Sequence, residues 1–294
     1  MAAQLVMGAA SYDALLRDAA VALTAAGIDN VRFEARLLLA HAAGVTIEWL
    51  VAHGGDTAPP AVAEALRELT ARRVRREPMA YVMGEREFWG LPFRVSPAVL
   101  VPRPDSETLI EAALALMPGR TEPWRILDLG VGSGCLLLTL LREFPNARGV
   151  GMDASAAALA VAQANAEALG VASRLRLVEG DWRQPGWVDR LAGPFDLLVS
   201  NPPYIETAAI AGLMPDVARF EPHLALDGGQ DGFAAYRAIA AEASRLVVPG
   251  GQVLIEAGEG QAAEISALLS TAGFVPGRPW KDLGGIDRII PATH

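Results

Sequence analysis

From Trp124 to the end of the chain, short runs of β-forming apolar residues alternate with longer amphipathic stretches, which limits the possible folds more than any other feature of the sequence. Arg125 to Leu129 reads as a first strand, and Gly130-Val131-Gly132-Ser133-Gly134 as a tight loop opening a helix that runs through Leu141. Gly149 to Asp153 is a second strand, followed by an alanine-rich helix to Leu169. Leu175 to Glu179 is a third, ending at Gly180-Asp181-Trp182, and Phe195 to Ser200 is a fourth. A helix from about Gly232 to Leu246 precedes a strand from Gln252 to Glu256, and another helix and two short strands near Phe274 and Ile286 to Ile290 follow. Repeats of this kind build a parallel sheet with helices on both faces. The expected fold is α/β: a doubly wound, seven-stranded, mostly parallel sheet with an antiparallel final strand.

Upstream the period changes. Residues 12 to 76 show helical spacing and no convincing strand. Leu15, Leu16, Ala19, Ala22 and Leu23 share one helical face, and Phe33, Leu37, Leu38 and His41 are expected to form the next, closed by Gly44. A short helix follows Thr46, and a fourth starts after Pro59-Pro60. The pattern predicts a small helical bundle over 1–77, a linking segment over 78–107 and the α/β domain over 108–294. Within the link, Glu87 to Val95 reads as a hairpin around a Gly-Leu-Pro turn, and Asp105 or Ser106 is expected to cap the helix that follows.

The chemistry-bearing residues fall where the strands end, as ligand sites in open α/β sheets do. The glycine loop fits neither the dinucleotide fingerprint, since position 135 is Cys135 and position 137 is Leu137, nor the phosphate loop, since no lysine is near. Closely spaced glycines still let a backbone approach a nucleotide-like cofactor. Asp153 ends the second strand, where a carboxylate either accepts from ribose hydroxyls or caps the next helix. Asp181-Trp182 ends the third, as an adenine wall or as ordinary core. Asn201-Pro202-Pro203-Tyr204 ends the fourth. Its two prolines stop the strand and stiffen the turn. That turn reads either as a capped loop or as a slot for a planar NH2 group, with the Asn201 side-chain carbonyl and the Pro202 main-chain carbonyl as acceptors and Tyr204 as a flat wall.

Composition narrows the class. The formal net charge of -9 argues against broad binding to nucleic acid, and the one dense basic run, Arg72-Arg73-Val74-Arg75-Arg76, reads as a solvated helix end. A single cysteine and four histidines without ligand spacing point away from disulfides and from a metal centre. Cys135 reads as a small buried residue at a helix start. The amino terminus shows no secretory pattern and no stretch approaches a membrane span, so a cytoplasmic protein is expected.

Several segments together carry a family likeness: Gly84-Glu85-Arg86-Glu87-Phe88-Trp89-Gly90-Leu91, Pro102-Arg103-Pro104-Asp105-Ser106-Glu107, Asp128 to Gly134, Asn201 to Tyr204 and Arg219-Phe220-Glu221-Pro222. From about Pro78 to the end the chain resembles the HemK/PrmC family of protein-(glutamine-N5) methyltransferases. Asn-Pro-Pro-Tyr alone is shared with enzymes that methylate adenine; its combination with the Pro-Arg-Pro segment and a helical amino-terminal region is more specific. Ser106 departs from the family's usual threonine but keeps the hydroxyl. The resemblance implies the class I fold of S-adenosyl-L-methionine-dependent enzymes. It also implies methyl transfer to the glutamine of the Gly-Gly-Gln motif in peptide chain release factors, by a monomer without metal, membrane or nucleic acid. Carried over residue by residue, Asp128, Gly130, Val131, Gly132, Ser133, Gly134, Asp153, Asp181, Trp182 and Asn201 hold the cofactor. Asn201, Pro202, Pro203 and Tyr204 hold the substrate amide, with Asn201, Pro202 and Tyr204 central to catalysis. The chain's own Gly228-Gly229-Gln230 reads as a tight-turn loop before a helix. Two rivals stay open: an adenine-N6 methyltransferase acting on a flipped base, which salt-sensitive DNA binding favours, and a noncatalytic adaptor, which failure to bind the cofactor favours.

Overall fold

The computed structural model describes residues 10–294. The chain divides into two compact units, the first ending at Gly84 and the second running Glu85–His294.

In the first unit, α1 (Tyr12–Ala25), α2 (Val31–Ala43), α3 (Ile47–His53), α4 (Pro60–Val74) and α5 (Met79–Met83) enclose a core that includes Leu23, Ala35, Leu38, Leu39 and Leu66. Thr46 and Pro60 mark starts as the sequence suggests, with Thr46 Oγ1 accepting from the Trp49 N–H; Ser11 Oγ, not read from the sequence, accepts from the Ala14 N–H. The buried face of α2 shares Leu38 with the expected one but is rotated from it. Ala35 and Leu39 point inward beside Leu38, Leu37 is half-buried, and Phe33, 58 % exposed, and His41 lie outside. Contact with α1 and α4 selects the Ala35-Leu38-Leu39 stripe.

The basic run is not a solvated helix end. Arg73 is buried, with Nε 2.7 Å from Glu34 Oε2 and Nη1 donating to the Glu77 carbonyl. Arg72 pairs with Glu77 and donates to the Tyr81 and Val82 carbonyls, and Arg76 donates to the Gly27 carbonyl. These arginines staple α4 to its own unit. Among the described residues no single helix is long and apolar enough to cross a membrane.

The second unit opens with a hairpin, β1 (Glu85–Phe88) and β2 (Leu91–Arg94). Its turn is Trp89-Gly90, with both residues at positive φ, and not Gly-Leu-Pro. A two-residue turn of this hand matches the twist of the strands, and tertiary hydrogen bonds hold tryptophan in an unfavourable conformation. The Trp89 N–H donates to Glu107 and its indole N–H to Glu143, both from helices packed beside it. Pro104–Ser106 then forms a single tight turn leading into α6 (Glu107–Leu116). Ser106 makes no side-chain cap there, because its hydroxyl is directed elsewhere.

The sheet alternates with α7 (Cys135–Glu143), α8 (Ala156–Ala168), α9 (Pro215–Phe220), α10 (Ala234–Leu246) and α11 (Ala262–Thr271). Its strands are β3 (Arg125–Leu129), β4 (Arg148–Asp153), β5 (Leu175–Glu179), β6 (Phe195–Ser200), β7 (Val247–Glu256), β8 (Val275–Pro276), β9 (Trp280–Lys281) and β10 (Asp287–Thr293). Seven lie in the order β5-β4-β3-β6-β7-β10-β8. The two-residue β9, too short to read in the sequence, pairs off this path with β10 and makes the sheet eight-stranded. β3 to β7 are parallel and β10 is antiparallel to β7, as expected.

Strand residues alternate between two cores. Ile126, Leu197, Val199 and Leu254 face α6 to α8, while Leu127, Leu198, Val253 and Ile255 face α10 and α11. Each such side chain contributes roughly 1.5–3 kcal/mol by leaving water. The chain steps outward from β3 through β4 to β5, then returns to place β6 on the other flank of β3. That reversal opens a crevice at the carboxyl ends of β3 and β6.

Candidate functional site

Strand register assembles the site. Leu129 pairs with Met152 and with Ser200, Met152 lies one position before Asp153, and Ser200 pairs with Ile255. The next residues of these strands, Gly130, Asp153, Asn201 and Glu256, therefore stand along one edge. Ser200 Oγ ties two of the ends together by donating to the Leu129 carbonyl at 2.6 Å.

The glycine loop is fixed by its main chain. The N–H groups of Gly130 and Val131 both donate to the Met152 carbonyl, at 2.8 and 2.9 Å, and Gly132 N–H donates to Asp153 Oδ2 at 2.9 Å. Gly130, Gly132 and Gly134 all have positive φ, which a side chain at these positions would resist. The Trp182 ring packs directly over Gly130: a methyl there would stand 3.2 Å from it.

A cavity of about 370 Å³ lies over these ends, a size suited to a cofactor. Of the residues singled out by sequence, Gly130, Val131, Gly132, Ser133, Asp153, Asp181, Trp182, Asn201 and Pro203 line it. Gly134 caps the start of α7 below the loop. Pro202 is buried, and the Tyr204 ring packs on Gly258 while its carbonyl accepts from Gln261 Nε2 at 3.2 Å, so neither is on the cavity wall. Burial pushes the Tyr204 hydroxyl up to about 12.

Asp128 stands behind the loop. Both of its carboxylate oxygens are buried without a hydrogen-bond partner, and burial, reinforced by the charge of Asp153, pushes its pKa up to about 8. Asp153 is also raised by burial, although it accepts from Gly132 and Ser155. Asp153 on the cavity wall, with Asp128 buried behind it, favours a cationic ligand at this end. The ammonium and sulfonium of S-adenosyl-L-methionine meet that requirement. Asp153 keeps lone pairs for further donors beyond the Gly132 and Ser155 N–H groups. Asp181 is engaged by Arg183, whose Nη2 lies 2.8 Å from Oδ2. Cys135 is half-buried and lines the cavity, and desolvation pushes its thiol up to about 12, away from the reactive thiolate.

Segment 102–107, part of the family likeness, was given no place in the site by sequence reasoning. Pro97 to Leu100, Pro102, Arg103 and Ser106 also line the cavity, as do Pro222, Leu224 and Ala225. Arg103, between two prolines, anchors this segment: its Nη2 meets Glu221 Oε1 at 2.6 Å, and Glu221 Oε2 accepts from the Val101 N–H. Ser106 Oγ donates to Glu256 Oε2 at 2.6 Å and accepts from Asn201 Nδ2 at 3.3 Å. The Gly228-Gly229-Gln230 segment is a packed loop: Gly228 is buried against the Tyr204 main chain, and its N–H donates to the Ile205 carbonyl.

Comparison with known proteins covers both units. Residues 14–84 match the family model of the PrmC N-terminal domain, and residues 126–220 match a methyltransferase domain. A release factor glutamine methyltransferase of Bradyrhizobium diazoefficiens is 45% identical, covering 96% of this chain and 94% of its own length. That of Cereibacter sphaeroides is 46% identical, covering 94% and 96%. Among solved structures, a methyltransferase from Pyrococcus furiosus superposes with a TM-score of 0.50 at 18% identity, over 70% of this chain and 90% of that one, which reflects the shared fold.

Proposed function

The chain belongs to the release factor glutamine methyltransferase family, and from that membership we propose how its Asn201 turn and glycine loop divide the work. The enzyme transfers a methyl group from S-adenosyl-L-methionine to the side-chain amide N5 of the glutamine in the Gly-Gly-Gln motif of peptide chain release factors. One observation supports the assignment of roles above all: register sets the ends of β3 and β6 level, so the loop and the turn line the same cavity.

The cofactor supplies an electrophilic methyl group on a sulfonium. Gly130, Val131, Gly132 and Ser133 form its main-chain cradle, with Gly134 shaping the loop from below, Asp153 receives its ribose hydroxyls, and Trp182 and Asp181 bound its adenine. Asp128 favours its ammonium electrostatically from behind the loop. An amide nitrogen is a poor nucleophile because its lone pair is delocalised into the carbonyl. Asn201 Oδ1, on the cavity wall, accepts an N–H of the substrate amide. The Pro202 carbonyl, off that wall with its residue buried, takes the second N–H only where the bound substrate reaches past Asn201 into the turn; the pair orients the nitrogen and favours a pyramidal form. Pro203 forms the wall beside it, and Tyr204, packed on Gly258, fixes the turn from outside the cavity. The reaction then needs positioning more than a strong base. The helical first unit docks the release factor, and the enzyme works in the cytoplasm with its substrate.

The test is incubation of the full chain and labelled cofactor with an unmodified release factor, with its Gly-Gly-Gln→Gly-Gly-Ala variant, or with DNA. Label is expected on the intact factor alone, and Asn201→Ala is expected to lower turnover by roughly 100-fold or more with cofactor still bound. Label on DNA, or an Asn201→Ala enzyme with normal turnover, would overturn the assignment.

A further inference from the structure

We propose that Ser106 and Glu256 are positioning residues for this transfer: together they decide which end of the Asn201 amide faces the substrate. The proposal rests on the reading of Asn201 as the acceptor of the substrate N–H.

The two ends of an asparagine amide are nearly equal in shape and opposite in hydrogen bonding. Only the Oδ1 end can accept from a substrate N–H, and the outline of the side chain does nothing to keep that end toward the cavity. The hydroxyl of Ser106 does. It carries one proton, and that proton goes to Glu256 Oε2 at 2.6 Å, a length typical of a hydroxyl bonded to an ionised carboxylate. Ser106 Oγ is left with lone pairs alone for Asn201, and it receives Nδ2 at 3.3 Å. A flipped amide would bring Oδ1 against those lone pairs with no proton between them. The ionised carboxylate therefore sets the polarity of the serine, and the serine sets that of the asparagine.

The surroundings leave this task to Glu256. Ser106 and Glu256 are each 2 % exposed, so water does not compete for either. Two cations contribute to the field at the carboxylate, but both have other partners: Arg103 is bonded to Glu221, and Arg288 to Asp282 and the Ala257 carbonyl. Asp105 adds a negative charge, and Tyr204, Tyr236 and Cys135 are the uncharged titratable groups within its influence. The Tyr236 hydroxyl donates to the main-chain carbonyl of Glu256, 3.0 Å away, and leaves the carboxylate to Ser106. Burial pushes Glu256 up to about 7. A protonated Glu256 becomes a donor to Ser106, which frees the serine proton to turn toward Asn201 and makes the flipped amide acceptable. Productive orientation is thus expected to increase as pH rises through about 7.

The experiment measures kcat, KM for unmodified release factor and equilibrium cofactor affinity for the full chain and its Ser106→Ala, Ser106→Thr, Glu256→Gln, Asn201→Ala and Ser106→Ala/Asn201→Ala variants. Ser106→Ala is expected to lose roughly 10- to 100-fold in kcat with cofactor affinity unchanged, Ser106→Thr to keep most of the activity, and Glu256→Gln, whose amide oxygen can still accept the serine proton, to lose less than Ser106→Ala. The double variant is expected to be no slower than Asn201→Ala alone, because the serine acts only through the asparagine. Wild-type kcat is expected to rise with pH through about 7, and Glu256→Gln to lose that rise. Wild-type turnover in Ser106→Ala, multiplicative losses in the double variant, or an unaltered pH profile in Glu256→Gln would overturn the proposal while leaving the role of Asn201 intact. A wild-type enzyme that leaves the release-factor glutamine unlabelled overturns that role and this proposal together.

Discussion

Arg103 and Glu221 stand 118 positions apart in sequence and meet at 2.6 Å. They join the wall before α6 to the segment after α9, and the Glu221 side chain is 1% exposed while that of Arg103 is 36% exposed. The same carboxylate holds the Val101 N–H. A buried carboxylate with one cation and one main-chain donor is sensitive to losing either.

Arg103→Ala is therefore expected to destabilise the protein by roughly 1–3 kcal/mol, less than for a fully buried pair because the arginine is partly in water. Glu221→Gln is expected to cost less, since its amide oxygen still accepts from Val101. Denaturant unfolding of both variants checks the order. Faster hydrogen exchange at Val101 in Arg103→Ala would locate the loosening in the cavity wall.

Asp128 gives a stability signature of its own. The folded chain holds this carboxyl protonated up to about 8, whereas an unfolded one ionises near ~4. The folded state thus binds more protons between those values, and the associated stability is complete below about 4 and lost as pH rises toward about 8. Asp128→Asn cannot ionise. Without cofactor it is expected to melt several degrees above wild type at pH 8, with the gap closing toward pH 4. With cofactor the order narrows or reverses, because the variant binds the ammonium more weakly. Thermal melts at the two pH values, with and without S-adenosyl-L-methionine, test this. An equal gap at both ends would show that Asp128 does not carry the effect.

Gly232 lies at φ +77°, and a methyl group there would fall 2.5 Å from the Tyr204 carbonyl. Gly232→Ala is expected to lose about 2–4 kcal/mol of stability and to reduce kcat by shifting the Asn-Pro-Pro-Tyr turn. Gly250 has a similar φ of +81° with nothing within 4 Å, so Gly250→Ala should lose only about 1 kcal/mol and leave kcat unchanged. Equal kcat values for the two variants would remove the link between the Gly232 loop and the turn.

What the sequence revealed and what it hid follow a physical division. Strand ends are local: a run of β-formers followed by Gly130, Asp153, Asp181 or Asn201 announces both the strand and the side chain at its carboxyl end. Pairings across long separations leave no local trace. Ser106 is 150 positions from its acceptor Glu256, and read alone it looks like a helix cap. The same limit applied at Trp89, whose left-handed turn depends on acceptors on α6 and α7, and at Arg73, whose burial depends on Glu34 in another helix. The cofactor half of the site was therefore legible, whereas segment 102–107 stood out in the sequence without the pairings to Glu221 and Glu256 that give it a place in the site.

The position of β10 also bears on how the protein comes into being. Residues 287–293 are made after every other strand described, yet they enter the sheet between β7 and β8. Until they emerge, β7 presents an unpaired edge flanked by apolar residues, the kind of surface that recruits foreign strands. The cofactor loop and the Asn201 turn can form earlier, on β3 to β6, but Glu256 ends the strand that waits for its partner. A chain lacking residues 287–293 would thus keep the strands that carry the cofactor loop and the Asn201 turn but leave the Glu256 strand with an open edge. It is expected to aggregate more readily than the full chain in a sedimentation assay.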